Sequence, residues 1–304
     1  MLRFVSHSEI DFQRWDTCIE NAGNGIIYSY SWYLNAACQT WDAIIEDDYQ
    51  AVMPLPRRLK WGIHYIYTPF FIQQLGVFGN NTLPVSSFME AIPKKFRLIE
   101  YNLNTANHNN LAKTGSLINW PTHHLDLGLP YSELVKRYDR TLRNNLKKAN
   151  EANLVLDTNA DMLRAINLFR ADKGQDFQDI KNADYNRLEQ IVQICLKQKK
   201  ACIWGALRGN QLLSAAIFVW ANNHFIFLFS GNTEEGRTLA ALPFLLNKFI
   251  ESKAGSAGVF DFEGSNNAGL ARFYKSFGSK RVEYPRLEMS KLPPIVRYIK
   301  SLKR

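Results

Sequence analysis

Residues 255–278 read GSAGVFDFEGSNNAGLARFYKSFG and hold the densest group of side chains able to do chemistry. Residues 259–263 alternate with the period of a β-strand, which puts Phe260 and Phe262 on one face and Asp261 and Glu263 on the other. Two carboxylates on one face at the end of a strand, followed by Gly264, suit a site where an amine is held and deprotonated. The same pair could instead cap the following helix or meet a basic helix, and spacing alone does not decide between these.

Positioning such a pair requires a strand and a helix, and the hydrophobic pattern predicts both. Helices are expected over residues 10–22, 86–96, 134–149, 161–169, 185–199, 239–253 and about 267–277. Strands are expected at 2–5, 41–46, 49–54, 65–71, 98–102 and 124–127. Further strands are expected at 154–157, 201–207, 212–221, 224–230, 259–263 and 281–289. Arg208-Gly209-Asn210 and Asn222-Asn223 supply turn residues, so 201–230 reads as a meander of hairpins. In each half, antiparallel strands lead to a helix and then to a strand ending in polar residues. The chain therefore reads as α/β (α+β), with two like domains at 1–152 and 153–304.

The formal charge of +9, from 37 Lys and Arg against 28 Asp and Glu, is concentrated in two places. Residues 136–151 carry six bases against two acids, and residues 291–304 carry five bases and no acid. The remaining charges balance. The first stretch is an amphipathic helix with Leu134, Tyr138, Leu142, Leu146 and Ala149 on its apolar face. It is either a solvated helix face or a surface for phosphates. The tail, opening on Pro293-Pro294, reads as a short docked helix that could also rest weakly on an anionic membrane.

With 46% apolar and 13% aromatic residues the chain can build a core, which excludes a disordered polymer. No apolar run reaches the roughly 18 residues of a membrane span. The first fifteen residues are charged where a signal peptide would be apolar, so a cytoplasmic protein, peripheral at most to the inner face of the membrane, is expected. HExxH, P-loop and GxSxG motifs are absent, and no metal site is expected. His123 and His124 adjoin and would point to opposite sides of a strand. Confinement of the bases to two stretches argues against DNA as a partner.

The helix after the two carboxylates, with Asn267, Phe273, Tyr274 and Gly278, resembles the last helix of the acyl-CoA N-acyltransferase (GNAT) superfamily, Leu270 replacing the usual alanine. Three segments resemble the FemAB-like branch, which carries two GNAT-type domains and transfers acyl or aminoacyl groups to amines. They are YTPFFIQQLG at 67–76, RTLRNNLKKA at 140–149 and DFEGSN at 261–266. The resemblance implies an acyltransferase with two tandem GNAT-like domains, the first degenerate and binding acceptor, the second holding the transfer site. It makes Tyr274 the general acid toward the leaving group and Glu263 or Asp261 the base.

Arg237, Thr238, Leu239 and Asn267 become contacts for acyl-CoA, or for another activated acyl donor used as cosubstrate. Arg143, Lys147, Gln73 and Gln74 become contacts for an anionic amine acceptor of the cell envelope. Two departures qualify this. Tyr274 stands where the FemAB-like pattern has lysine, which disfavours aminoacyl-tRNA, and Ala240 stands where the GNAT phosphate loop has glycine. The competing reading is a noncatalytic protein that binds a phosphorylated glycan or peptide on the same double fold.

Overall fold

The computed structural model describes residues 1–108, 116–172, 180–264 and 266–292. The chain divides into two compact units, one of Met1–Trp120 with Glu283–Arg304, the other of Pro121–Val282.

The first unit begins with β1 (Leu2–Val5), α1 (Phe12–Asn21), α2 (Ser31–Ala37), β2 (Trp41–Glu46), β3 (Ala51–Lys60) and β4 (Ile63–Tyr67). It continues with β5 (Phe78–Gly79), α3 (Val85–Glu90) and β6 (Phe96–Asn102). Asp11 caps α1 by accepting from the N–H groups of Gln13 and Arg14. Trp15, Tyr28, Tyr33, Trp41, Phe78, Phe88 and Tyr101 are fully buried between the helices and the sheet. Helix α3 is shorter than expected because Pro93 lies within the stretch read as helix.

Strand β7 (Ser116–Asp126) leads into the second unit. There follow α4 (Tyr131–Lys136), α5 (Arg140–Glu151), β8 (Val155–Asp157), α6 (Met162–Asp172), α7 (Asn182–Lys197), β9 (Ala201–Arg208), β10 (Gln211–Ala221) and β11 (His224–Asn232). The chain continues through α8 (Glu234–Thr238), α9 (Ala241–Lys253), β12 (Val259–Asp261), α10 (Ala268–Ser276) and β13 (Lys280–Ser290). Asn222 and Asn223 both take positive φ, 49° and 59°, as the tight hairpin between β10 and β11 requires. Asp139 caps α5, whose Leu142 and Ala149 are buried while its basic side chains stay outside. Phe218 and Phe249 stack with centroids 3.9 Å apart in the core under α9.

The strands of the two units follow the same plan. In the first unit β1-β2-β3-β4 run antiparallel, β6 joins β4 in parallel, and β13 closes antiparallel on β6. In the second, β8-β9-β10-β11 run antiparallel, β12 joins β11 in parallel, and β7 closes antiparallel on β12. Each closing strand comes from the other half of the sequence. For that reason the compact units are not divided by a single joint at 152/153 but exchange chain within β7 and within β13.

Among the described residues no helix is long and apolar enough to cross a membrane. The tail helix expected from residue 293 onward lies outside the described residues.

Candidate functional site

The second unit gathers its polar chemistry where β11 and β12 part. The two strands pair in parallel only through His224–Val259, Phe225–Phe260 and Ile226–Asp261. Strand β12 then stops, whereas β11 continues to Asn232. Between Phe227 and Phe229 the pairing of β11 with β10 shifts register, which makes Leu228 a bulge residue just past the separation.

Asp261 explains why β12 ends where it does. Its Oδ1 accepts the backbone N–H of Glu263 at 2.8 Å, a turn closed by the side chain two residues earlier. Glu263 accordingly sits at φ 63°, in the left-handed region. The expectation that 259–263 would form one strand is therefore corrected at its last two residues. The aromatic side of the pattern holds: Phe260 and Phe262 are fully buried, with ring centroids 4.6 Å apart.

The Asp261 carboxylate is itself buried and fully engaged. Thr122 Oγ1 donates to Oδ1 at 2.5 Å, while His124 Nε2 and His224 Nε2 lie 3.1 and 3.3 Å from Oδ2. Burial alone would raise its pKa, but the charges and hydrogen bonds of the two imidazoles outweigh burial and hold the carboxyl far below the usual carboxylate range. A group held so firmly ionised is a poor proton acceptor. Of the two sequence candidates for a base, the half-buried Glu263 is the better suited.

Tyr274, on the buried face of α10, stacks on Phe262 at 5.1 Å. Burial, reinforced by Glu263 and then Asp261, raises its pKa and keeps the phenol protonated. His123 lies on the opposite face of β7 from His124, with its ring 5.8 Å from that of Tyr274. It is buried, and neither ring nitrogen has a hydrogen-bond partner. Burial, then Lys275, lowers its pKa despite the opposing pull of Asp261. Sequence reading noticed the His123-His124 pair and its opposed directions. It missed Thr122, His224 and the gathering of His124 and His224 around the carboxylate, because only the pairing of β7, β12 and β11 brings them together.

The other sequence candidates are spread out. Asn267 is the N-cap of α10, its Oδ1 accepting from the N–H groups of Gly269 and Leu270. In the first unit, Gln74 is buried and accepts the Thr105 N–H at 3.1 Å, and the Gln73 carbonyl accepts from Asn102 Nδ2. Arg143 is exposed and donates to the Lys136 carbonyl, while Lys147 sits 3.8 Å from Glu151.

Arg237 does not stand clear over the start of α9. Its guanidinium donates to Asp172 Oδ1 at 2.8 Å, and Asp172 Oδ2 accepts the Asn232 N–H. Thr238 is exposed and Leu239 packs against the core. Ala240 adopts the left-handed φ of 57°, and Pro243 removes a donor from the first turn of α9. A phosphate cradle needs free N–H groups at a helix start, and this one is depleted. Arg237→Ala is thus expected to change acyl-CoA affinity by less than about threefold and to cost about 1–3 kcal/mol of stability, because it leaves the nearly buried Asp172 carboxylate without its cation. Titration calorimetry with acetyl-CoA and a longer acyl-CoA measures the first. Loss of otherwise measurable CoA binding in the variant would return Arg237 to the donor site.

No protein-family model matches the sequence, and no curated protein matches it. Solved structures do. FemX matches with a TM-score of 0.65 over 91% of this chain and 96% of its own, at 14% identity. L-PGS from Bacillus licheniformis gives 0.58 over 94% of both chains at 12% identity. A C-terminal domain from Agrobacterium fabrum, named for a lysylphosphatidylglycerol synthetase, gives 0.54 over 93% of this chain and 92% of that one at 9% identity. The fold of this chain is the FemX fold along nearly its whole length, and it is the α/β double fold expected from the motifs.

Proposed function

We propose that the protein is an N-acyltransferase that moves an acyl or aminoacyl group from an activated donor to an amine on an anionic, cell-envelope-related acceptor. The observation that carries this reading is the parting of β11 and β12 beside Glu263 and Tyr274. It offers a strand edge, a carboxylate and a protonated phenol within one unit. The amine attacks the acyl carbonyl while Glu263 takes its proton. Backbone N–H groups of β11 near Phe229–Gly231 stabilise the oxyanion. Collapse of the tetrahedral intermediate breaks the bond to the leaving group, which takes a proton from Tyr274. Asp261 holds the Glu263 backbone.

The depleted cradle at α9 favours a donor recognised by features other than a CoA pyrophosphate, such as an acyl carrier, while Tyr274 at the lysine position of the FemAB-like pattern keeps aminoacyl-tRNA disfavoured. Acyl-CoA stays among the donors to be tried. The name lysylphosphatidylglycerol synthetase, which contains that of a membrane lipid, supports an envelope-related acceptor. The bases of α5 support an anionic one. A cytoplasmic location suits both, with residues 291–304 able to touch the membrane surface.

The Arg237–Asp172 pair also favours a second reading, in which the protein binds a phosphorylated glycan or peptide without catalysis. Incubating the protein with each donor class and amine-bearing envelope precursors, followed by mass spectrometry, separates the two. Transfer appears as acceptor mass gain. Acceptor binding without transfer from any donor would overturn the enzymatic reading. Tyr274→Phe is expected to lower kcat by about 100-fold, the low end for a general acid, with KM unchanged. Unchanged turnover at every pH would remove Tyr274 from that role.

A further inference from the structure

We infer that His124, His224 and Asp261 form a binding site for one divalent transition-metal ion of the zinc type. The site lies beside the proposed transfer centre and stands independently of the transfer reading.

Three adjacent strands supply the donors. His124 on β7 pairs directly with Asp261 on β12. On β11 the partner of Asp261 is Ile226, so His224, two residues away, shares its face. Their ligand atoms all lie within 4.8 Å of one another. The imidazole rings stand nearly perpendicular, at 85°, with both Nε2 atoms directed at the same Oδ2. The separations of 3.1 and 3.3 Å match the edge of a zinc coordination tetrahedron. Bonds of about 2.0–2.1 Å at tetrahedral angles put neighbouring ligand atoms about 3.3 Å apart. Two edges of the ligand triangle therefore already have coordination length, and the third, between the two Nε2 atoms, lies within 4.8 Å.

The carboxylate is already oriented for this. Thr122 and the Glu263 N–H both bind Oδ1, which leaves Oδ2 facing the imidazoles, an arrangement typical of outer-shell support for a metal ligand. The donor set of two imidazoles and one carboxylate selects a borderline transition ion over magnesium or calcium, which take oxygen ligands. Access separates the three residues usefully. Asp261 is 2% exposed but His124 and His224 side chains are 17% and 19% exposed, so an ion would keep a water ligand on its open side. His123 takes no part, because it faces Tyr274 across the strand. Since Oδ1 of the same carboxylate holds the Glu263 N–H, a bound ion would also brace the left-handed turn carrying the proposed base.

The test uses the full chain, stripped with a chelator and titrated with zinc chloride by calorimetry and with cobalt chloride by visible absorption. One ion per chain is expected, with a melting temperature several degrees higher at saturation and cobalt bands of a four-coordinate N/O site. His124→Ala and His224→Ala are each expected to weaken zinc binding at least 100-fold. Equal metal-free melting temperatures would show that the variants fold, and Asp261→Asn serves as a third arm. Calcium and magnesium are expected to give no heat. Substoichiometric binding, or zinc affinity unchanged in both histidine variants, would overturn the proposal and leave the three side chains as a hydrogen-bonded knot.

Discussion

Gly231→Ala is expected to lower the melting temperature by roughly 5–10 °C, equivalent to about 3 kcal/mol for a buried overpacking change. A Cβ at Gly231 would lie 2.3 Å from the Phe169 nitrogen, 2.4 Å from the Leu168 carbonyl carbon and 2.7 Å from its oxygen. All three are backbone atoms of α6, so no side-chain rotation can relieve the clash. Either the helix lifts from β11 or the strand bends. Lifting is opposed by Asp172 at the end of α6, which binds the Asn232 N–H and Arg237. Gly209→Ala is the control. Gly209 has φ 57° with nothing within 4 Å of the added carbon, so the cost is about 1 kcal/mol of left-handed backbone strain. Calorimetric melting of both variants checks the contrast, and a Gly231→Ala protein melting within a degree or two of the parent would contradict the close approach.

Changes at Glu263 are expected to separate activity from stability. Glu263→Gln should reduce acyl transfer about 10²–10⁴-fold by removing the proton acceptor, with melting unchanged. Glu263→Gly should lose as much activity, while relieving up to about 1 kcal/mol of left-handed backbone strain against whatever its side-chain contacts contribute. Glycine occupies φ 63° without the penalty that a side chain bears there, although its freer unfolded state offsets part of the gain. Strain kept at a reacting group is characteristic of functional sites. Rate measurements paired with thermal melts decide the matter. A Glu263→Gln enzyme of parental rate would assign the base elsewhere, and a strongly destabilised Glu263→Gly would make the carboxylate a structural contact.

Much of this fold could be read from local pattern. The Asn222-Asn223 turn, the Asp139 cap of α5 and the apolar face of α10 are each decided within a few residues. The candidate centre was legible where alternation governs, at Phe260, Asp261 and Phe262. It failed at Glu263 because a side-chain hydrogen bond from Asp261 overrode the strand. Partners distant in sequence left no local trace. Thr122 and Asp261 are 139 positions apart, and Asp172 captures Arg237 from 65 positions away. Gln74, assigned to the acceptor by resemblance alone, is a buried amide whose oxygen accepts the N–H of Thr105, 31 positions away.

The exchange of closing strands also sets an order of events during synthesis. Strand β13, which completes the strands of the first unit beside β6, is translated after nearly the whole of Pro121–Val282. At about 5–20 residues per second, the β6 edge waits on the order of 10–30 s for its partner. Over the same interval the second unit, contiguous from Pro121 and already holding β7, gains every strand it needs. The second unit therefore has its full set of strands only about 1–5 s before the first unit does, since β12 ends at Asp261 and the pairing residues of β13 begin at Arg286. Until then the β6 edge of the N-terminal half depends on protection, whether from chaperones or from its own cationic residues.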